Sequence, residues 1–395
     1  MAGDTHTREA NTLDDWTSGG FGLYLHWPFC QAKCPYCDFN SHVAQHVDQV
    51  RWQAAYLSEI DRIAALTGPR VVNSVFLGGG TPSLMAPELV GAVLQRIRAC
   101  WPAANDLEVT LEANPTSAEA GRFRAYAQVG VTRLSLGVQA LNDADLRRLG
   151  RLHTAAEART AFDVARDAFA RVSFDLMHAR QGQTVEAWRC ELNEALAMAV
   201  DHLSLYQLTV EPGTAFGARH AAGGLRDLPD EAVSADMYLE TQEICDRAGF
   251  VGYEISNHAR PGSESRHNLV YWRCGDYAGI GPGAHGRLTL AGQRRETTAP
   301  LHPDAWLERV ERRGDGTNSE VTVPRDEQAL EYLMMSLRLR EGCDLRRYER
   351  LAGVALADTV LADLEAQALI TCHDKRLALT PSGRPVLNAI LRALI

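Results

Sequence analysis

The stretch that decides the fold runs from Tyr24 to Cys37 and reads Tyr-Leu-His-Trp-Pro-Phe-Cys-Gln-Ala-Lys-Cys-Pro-Tyr-Cys. Its first four residues belong to an apolar and aromatic run that predicts a buried strand. Three cysteines follow directly, within eight residues. Pro28 and Pro35 disfavour a continuous helix there, so we expect a loop that can bring the three thiols to one metal centre.

The three cysteines, Cys30, Cys34 and Cys37, indicate iron–sulfur chemistry rather than structural zinc. Soft thiolate ligands select zinc, copper(I) or iron–sulfur clusters. A closed structural zinc site needs four protein ligands, and the chain has no second close pair of cysteines. Three thiolates fit a four-iron cluster whose fourth iron stays open to another ligand.

Composition and charge exclude several classes of protein. The 395 residues are 46% hydrophobic and 23% charged, which is typical of a globular chain. The 40 Lys and Arg against 50 Asp and Glu give a net charge of −10, which argues against nucleic-acid binding. No apolar run reaches the length of about 18 residues that a membrane span needs. Because reduced thiols indicate a reducing compartment, we expect a cytoplasmic protein.

Short apolar runs, such as residues 72–77 and 172–177, alternate with amphipathic stretches that predict helices, such as residues 87–100, over residues 21–253. Six strand-then-helix units in sequence predict a parallel sheet with right-handed crossovers. A complete barrel of eight units takes about 250 residues, so six units predict an incomplete (β/α)6 barrel. A doubly wound open sheet is the alternative. In either fold, ligands bind at the carboxyl ends of the strands.

The pattern divides the chain into four regions. Residues 1–20 carry no targeting signal and are expected to form a flexible tail. Residues 21–255 are expected to form the (β/α)6 core. Residues 256–324 are rich in glycine, contain the run His-Asn-Leu-Val-Tyr-Trp at 267–272, and continue as a polar connector. In residues 325–395, three helices and a hairpin predict a smaller winged-helix-like domain.

The cysteine loop resembles the signature of the radical S-adenosylmethionine (SAM) superfamily. The resemblance rests on the spacing Cys-x3-Cys-x2-Cys after the first strand, and on the aromatic Tyr36 before the last cysteine. It implies a [4Fe-4S] cluster on Cys30, Cys34 and Cys37, with SAM's amino and carboxylate groups on the open iron. In the superfamily, one electron from the cluster cleaves SAM to methionine and a 5′-deoxyadenosyl radical.

Glycines and polar residues at the predicted strand ends agree with a SAM site. Residues 78–82, Gly-Gly-Gly-Thr-Pro, follow the second strand, where glycines let the backbone approach a ligand closely. Glu112 ends the third strand, and its carboxylate can accept hydrogen bonds from ribose hydroxyls. With the resemblance, the sequence predicts that SAM is bound by Tyr24, Gly79, Gly80, Thr81, Glu112, Gln139, Arg151 and Asp175.

Further motifs narrow the resemblance to the HemW-type heme chaperones of the oxygen-independent coproporphyrinogen III oxidase family. The shared motifs lie at residues 24–30, 78–82, 137–139 and 150–153 and in the winged C-terminal region. The oxidases of this family carry a fourth cysteine two positions after the third, where this chain has Phe39. The HemW-type proteins carry His-Asn-x-x-Tyr-Trp, which is present here at residues 267–272.

The resemblance implies that the chain binds heme and passes it to an acceptor protein, with an electron donor for the cluster. Imidazole is a common axial heme ligand and aromatic rings stack on porphyrins, so His267 is the predicted ligand, with Tyr271 and Trp272 stacking. Other candidate ligands stay open: His26, His153, His178, His258, Cys274, Tyr277 and His285.

Two alternative functions also stay open, a coproporphyrinogen oxidase and a non-catalytic iron–sulfur interaction protein. Cleavage of SAM, and with it enzyme activity, is left open, whereas turnover of coproporphyrinogen is not expected. One departure from the family lies at residues 179–184, Ala-Arg-Gln-Gly-Gln-Thr, where members often have Gly-Leu-Pro-x-Gln-Thr. We expect Arg180 either to meet a carboxylate such as a heme propionate or to be solvated.

Overall fold

The computed structural model describes residues 15–395 and contains one large sheet and two small ones. The strands are β1 (Phe21–Trp27), β2 (Phe29–Cys30), β3 (His42–Val43), β4 (Val72–Gly79), β5 (Ala103–Ala113), β6 (Arg133–Gln139), β7 (Arg171–His178), β8 (His202–Gln207), β9 (Val251–Gly252), β10 (Asn257–Ala259), β11 (Asp276–Ile280), β12 (His285–Leu290), β13 (Gln293–Thr298), β14 (Ser319–Thr322), β15 (Cys343–Asp344), β16 (Ile370–His373) and β17 (Arg376–Leu379).

Helices follow most of the parallel strands and make up much of the C-terminal region. The α-helices are α1 (Gln49–Thr67), α2 (Pro87–Cys100), α3 (Ser117–Ala120), α4 (Phe123–Val129), α5 (Asp143–Arg148), α6 (Ala155–Ala168), α7 (Val185–Met198), α8 (Ala215–Ala221), α9 (Glu231–Arg247), α10 (Arg266–Trp272), α11 (Pro303–Arg313), α12 (Arg325–Ser336), α13 (Leu345–Ala352), α14 (Asp358–Ala366) and α15 (Leu387–Leu394). Between residues 15 and 395, no helix has the length and apolar character that a membrane span requires.

Six parallel strands lie side by side in the order in which the chain forms them: β1, β4, β5, β6, β7 and β8. A doubly wound sheet would reverse its strand order at a switch point, and this order has no reversal. The prediction of an incomplete (β/α)6 barrel is therefore confirmed over the doubly wound alternative.

The parallel strands are buried on both faces, which explains why they read as continuous apolar runs. In β1, for example, Phe21, Leu23, Leu25 and Trp27 are all buried. Several helices that cover the sheet begin at side-chain caps, as at Thr154, which forms a capping box with Glu157 at the start of α6. The start of α6 and the apolar character of β1 therefore follow from local residue preferences.

The segment 256–324 differs from the predicted polar connector, because four of its strands extend the barrel sheet. Strand β11 pairs in parallel with β1, and β12, β13 and β14 continue the sheet in antiparallel fashion. The predicted connector did not include strands β12 to β14, although the segment also contains helix α11. Their polar sequence reflects partial exposure, since antiparallel strands near a sheet edge keep one solvated face.

The C-terminal region packs helices α12, α13 and α14 with a three-stranded sheet, and has its own hydrophobic cluster. The guanidinium of Arg347 joins this region to the barrel, donating to the backbone carbonyl of Arg273 at 2.7 Å. It also pairs with Asp15 at 2.7 Å. Of the predicted tail, residues 1–14 lie outside the described residues, whereas Asp15 is tied to the fold by this buried arginine.

Ala179 occupies a left-handed backbone conformation with φ of 56°, at the position where related sequences often have glycine. A Cβ atom disfavours this conformation by roughly 1–2 kcal/mol. Ala179→Gly is therefore expected to raise the free energy of unfolding by about 1 kcal/mol. Urea unfolding measures the change, with Ala54→Gly on exposed helix α1 as the control, which should lose about 1 kcal/mol. Destabilisation by Ala179→Gly would contradict this prediction.

Candidate functional site

The three cysteines of the loop after β1 line one cavity of about 150 Å³ at the carboxyl ends of the barrel strands. Cys30 lies on the short strand β2, which pairs with β3. The loop is held from the far side of the barrel, where the backbone N–H of Phe216 donates to Pro35 O at 2.8 Å. The barrel thus places all three thiols at the mouth of the sheet.

Hydrogen-bond donors point at two of the three sulfur atoms. The Thr81 hydroxyl lies 3.5 Å from Cys30 Sγ, and Arg151 Nη1 lies 3.3 Å from Cys34 Sγ. Burial raises the pKa of the Cys30 thiol, the Thr81 contact lowers it, and the nearby Cys37 and Cys34 raise it again. Donors of this kind stabilise thiolates and tune iron–sulfur clusters.

Three thiolates that line one cavity suit a four-iron cluster, in which one iron has no protein ligand. Among residues 15–395, no three His, Cys, Asp or Glu side chains are arranged to hold one metal ion. In a four-iron cluster each thiolate binds a different iron, so the sulfur atoms surround a larger body. The cavity and the sulfur-directed donors therefore fit a [4Fe-4S] cluster on Cys30, Cys34 and Cys37.

Two carboxylates, Glu112 and Asp175, line the same cavity. Glu112 Oε2 accepts a hydrogen bond from Gly79 N–H at 3.1 Å. Burial, and then the charge of Asp175, raise the pKa of Glu112 to about 8. Burial also raises the pKa of Asp175 to about 6. Two such carboxylates suit a ligand that carries positive charge and hydroxyl donors, as the sulfonium, ammonium and ribose groups of SAM do.

The backbone shapes the rest of this cavity. Gly79 has φ of 112°, and a Cβ there would lie 2.7 Å from the His26 ring, so only glycine fits. Gln139 has φ of 71° after an irregularity at the end of β6, and it also lines the cavity. Gly80, Thr81 and Arg151 line it as well. The structure thus brings together seven of the eight residues predicted for SAM.

Asn114 is a cavity residue that the sequence reasoning did not single out. Its Oδ1 accepts a 2.6 Å hydrogen bond from Arg151 Nη2, and its Nδ2 donates to Thr81 Oγ1 at 3.2 Å. It therefore links the arginine at Cys34 to the threonine at Cys30. The sequence could have indicated Asn114, because it lies two residues after Glu112 and directly follows the end of β5.

The eighth predicted SAM residue, Tyr24, lies in a second cavity of about 300 Å³. Glu112, Gly79 and Phe39 line both cavities, so the two spaces share a wall. The rest of the second cavity is lined by Tyr24, His26, Asn40, Tyr271, Tyr277, Gly283 and His285. A planar aromatic ligand in this cavity would lie directly beside the cluster cavity.

His267 is buried beneath the second cavity rather than exposed in it. Its Nδ1 lies 2.9 Å from Ser74 Oγ, and its Nε2 lies 3.1 Å from the Tyr271 hydroxyl. Its ring stacks on Phe76 with centroids 5.0 Å apart. Burial lowers the pKa of His267 to about 3, so its ring is neutral. His267 as a heme ligand stays a prediction that requires one of these two contacts to open.

Tyr271 and Trp272 point to different surroundings. Tyr271 lines the second cavity, with its ring centroid 4.1 Å from that of Tyr277. Trp272 instead lies against the C-terminal region, with the Arg338 guanidinium 5.9 Å from its ring centroid. The structure therefore does not bring Trp272 together with the other predicted heme residues.

Arg180 is neither solvated nor available to a propionate, which corrects both expectations for it. Its side chain is buried and pairs with Glu191 at 2.5 Å and Asp145 at 2.9 Å. It also donates to the backbone carbonyl of Met177 at 2.8 Å. The two carboxylates already neutralise this charge, so the departure from the family motif has a structural role.

Comparisons with known proteins agree with this architecture. Residues 24–189 match the family described as the Radical SAM superfamily, and residues 323–386 match the HemN C-terminal domain. Coproporphyrinogen III oxidase (HemN) from Escherichia coli has a TM-score of 0.80 at 22% identity, covering 97% of this chain and 92% of that chain. At that identity the likeness shows a shared fold.

Relatives matched over most of their length are more similar to this chain in sequence than that oxidase is. Radical S-adenosyl methionine domain-containing protein 1, mitochondrial, of Mus musculus is 41% identical, over 94% of this chain and 87% of that protein. Heme chaperone HemW of Escherichia coli (strain K12) is 37% identical, over 94% of this chain and 97% of that protein. The cofactors of the superfamily, a [4Fe-4S] cluster and SAM, fit the cluster cavity, where Cys30, Cys34 and Cys37 would hold the cluster and a reduced cluster would be able to supply an electron to SAM. The chain belongs to the radical SAM superfamily, in the family that includes heme chaperone HemW and radical S-adenosyl methionine domain-containing protein 1.

Proposed function

We propose that the protein is a heme chaperone, which binds heme in the second cavity and passes it to an acceptor protein. The observation that carries the proposal is the shared wall of Glu112, Gly79 and Phe39 between this cavity and the cluster cavity. A ligand in the second cavity therefore contacts the same wall residues as the cluster and SAM in the neighbouring cavity, and its binding can respond to whether they are present. The name of the Escherichia coli relative, heme chaperone HemW, supports the same assignment.

The lining of the second cavity suits a planar, partly apolar ligand. Tyr271 and Tyr277 present adjacent rings, and Tyr24 adds a third aromatic side chain. Aromatic rings bury large apolar area and stack on other π-systems. The tyrosine hydroxyls keep a polar end, which suits a macrocycle with polar substituents. We infer that the heme face packs against these tyrosines.

The chaperone assignment is favoured over the oxidase by the residue after the cluster loop. Position 39, where the oxidases of the family carry a cysteine, is a phenylalanine that is 61% exposed at the rim of both cavities.

We propose that an electron donor reduces the cluster from the open side at Phe39. We also propose a cytoplasmic location, because thiolate clusters persist in reducing compartments; the name of the mouse relative places that protein in mitochondria.

One experiment tests the proposed function against the oxidase alternative. The full chain is reconstituted anaerobically with iron and sulfide, and one sample is titrated with heme while another is incubated with coproporphyrinogen, SAM and a reductant. We expect saturable binding of roughly one heme per chain and no decarboxylated product. Turnover of coproporphyrinogen without heme binding would reverse the assignment.

Glu112 is expected to contribute directly to SAM binding. Glu112→Ala should weaken SAM by about 1–3 kcal/mol, the scale of a charge-assisted hydrogen bond. A cationic ligand favours the carboxylate form, so SAM affinity should rise as the pH increases through the pKa of about 8. This rise in SAM affinity through the pKa of Glu112 should be absent in Glu112→Gln.

Calorimetry on reconstituted protein between about pH 6 and pH 9 measures both effects. Glu186→Ala, on the exposed face of α7, is the control and should bind SAM normally. Unchanged SAM affinity in Glu112→Ala would reject Glu112 as a SAM ligand.

A further inference from the structure

We propose that the axial ligand to the heme iron is His285, at the start of β12, and that His267 is a positioning residue for Tyr271. This inference rests on the proposed heme-binding function and deepens it by assigning the iron ligand. Only a side chain that reaches the cavity with a ring nitrogen available can bind the iron without first breaking contacts in the fold. The structure distinguishes the candidate residues by this criterion.

His285 meets both requirements. It is exposed, and it lines the second cavity together with Tyr24, Tyr271 and Tyr277. Neither of its ring nitrogens is hydrogen-bonded to a residue between 15 and 395, so either nitrogen can reach a ligand without breaking a contact of the fold. An available imidazole beside an aromatic cavity is the arrangement that axial heme ligation uses.

The turn that carries His285 is built from glycines that no other residue can replace. Gly281 has φ of 114°, and a Cβ there would lie 2.4 Å from His26 O. Gly283 has φ of 76°, and a Cβ there would lie 2.4 Å from Asn40 Nδ2. A Cβ on Gly279 would lie 2.1 Å from His285 O. These close approaches hold the His285 backbone against the end of β1, which favours a preorganised ligand.

Asn40 anchors the same turn to the cluster loop. Its Nδ2 donates to Pro282 O at 3.0 Å and to Leu301 O at 2.9 Å. Because Asn40 lies three residues after Cys37, the backbone before His285 and the loop around the cluster are directly connected. The backbone before His285 is therefore held in place by the cluster loop.

Among the competing ligands, Tyr277 also lines the cavity, but burial raises the pKa of its phenol to about 12 and so disfavours the phenolate that would bind iron. His26 lines the cavity, but its Nδ1 lies 3.0 Å from the Tyr24 hydroxyl and its Nε2 lies 2.8 Å from Asn40 O. His267 has partners on both nitrogens, Ser74 and Tyr271. Cys274 is buried in the hydrophobic cluster of the C-terminal region, away from the cavity. His267 therefore orients the Tyr271 ring on the cavity wall.

Variants of the reconstituted full chain separate the two histidines by spectroscopy. With ferric heme bound, His285→Ala should lose the imidazole-ligated absorption and electron paramagnetic resonance signals, and should bind heme at least about tenfold more weakly. Added imidazole should restore the signals. His285→Cys should give a thiolate-type spectrum, a new signature that requires position 285 to touch the iron.

His267→Phe keeps a ring stacked on Phe76 but removes both nitrogens, so it should retain the wild-type ligand signature. His373→Ala, on the exposed C-terminal hairpin, is the matched histidine control and should leave both spectrum and affinity unchanged. Wild-type signals in both His285 variants, or their loss in His267→Phe, would overturn the assignment of the ligand while heme binding stands. Absence of heme binding by the wild-type chain would instead overturn the proposed function itself.

Discussion

Cys34→Ala is expected to remove most of the iron and sulfide from the reconstituted protein. Cys34, Cys30 and Cys37 line one cavity, and each is expected to hold a different iron of the cluster. Two remaining thiolates leave a second iron without a protein ligand. The substitution also removes the sulfur that Arg151 Nη1 approaches at 3.3 Å, so a buried positive charge loses a partner. Loss of the cluster should remove SAM binding at the open iron as well.

Iron and sulfide analysis, with the visible absorption of the cluster, measures this result. Cys190→Ala is the matched control, because Cys190 is exposed on α7, away from the loop. Cys343→Ala is a second control, since Cys343 is buried among hydrophobic residues of the C-terminal region, where burial raises the pKa of its thiol to about 11. Full iron content in Cys34→Ala, or cluster loss in either control, would contradict the assignment.

Glu108→Ala is expected to destabilise the fold by about 3–5 kcal/mol, because it leaves a buried arginine without its charge partner. Glu108 Oε2 accepts from Arg133 Nε at 2.9 Å, and the two side chains are 3% and 1% exposed. Glu108 Oε1 accepts from the backbone N–H of Arg266, at the start of α10. One carboxylate therefore joins β5, β6 and the helix that carries His267.

Urea unfolding followed by circular dichroism checks this prediction. Arg166→Ala, which breaks the exposed pair of Arg166 with Asp163, is the control and should change stability by less than about 1 kcal/mol. Because Glu108 lies outside the two cavities, Glu108→Ala protein that is still folded should retain its cluster. A change as small as that of the control would show that the buried pair is dispensable.

Much of the barrel could be predicted from the residues alone, because its strands are buried on both faces. The apolar runs at residues 72–77 and 172–177 coincide with β4 and β7 within two residues at each end. The helix at 87–100 matches α2, which begins at Pro87. The cluster loop could be predicted for a different reason, since the chemistry of thiolate ligands constrains residue type and spacing locally.

The strands β11 to β14 could not be predicted in this way. The residues of β12 to β14 are largely polar and partly exposed, so the alternation that indicates a strand is weak there. Strand β11 pairs with β1 across more than 200 positions of sequence. Pairing between distant segments depends on the whole sheet and leaves no local pattern. The glycines around His285 were visible in the sequence, but the close approaches that require them were not.

The sequence alone therefore establishes the barrel core, the three cluster cysteines and the order of polar residues at the strand ends, because each depends on neighbouring residues or on ligand chemistry. The tertiary structure decides which side chains are available to a ligand. Arg180 is paired with Glu191, and both ring nitrogens of His267 contact Ser74 and Tyr271. His285 faces the cavity, and its ring has no such partner among residues 15–395. Availability depends on partners that lie far away in the chain, and only the folded arrangement brings those partners into contact.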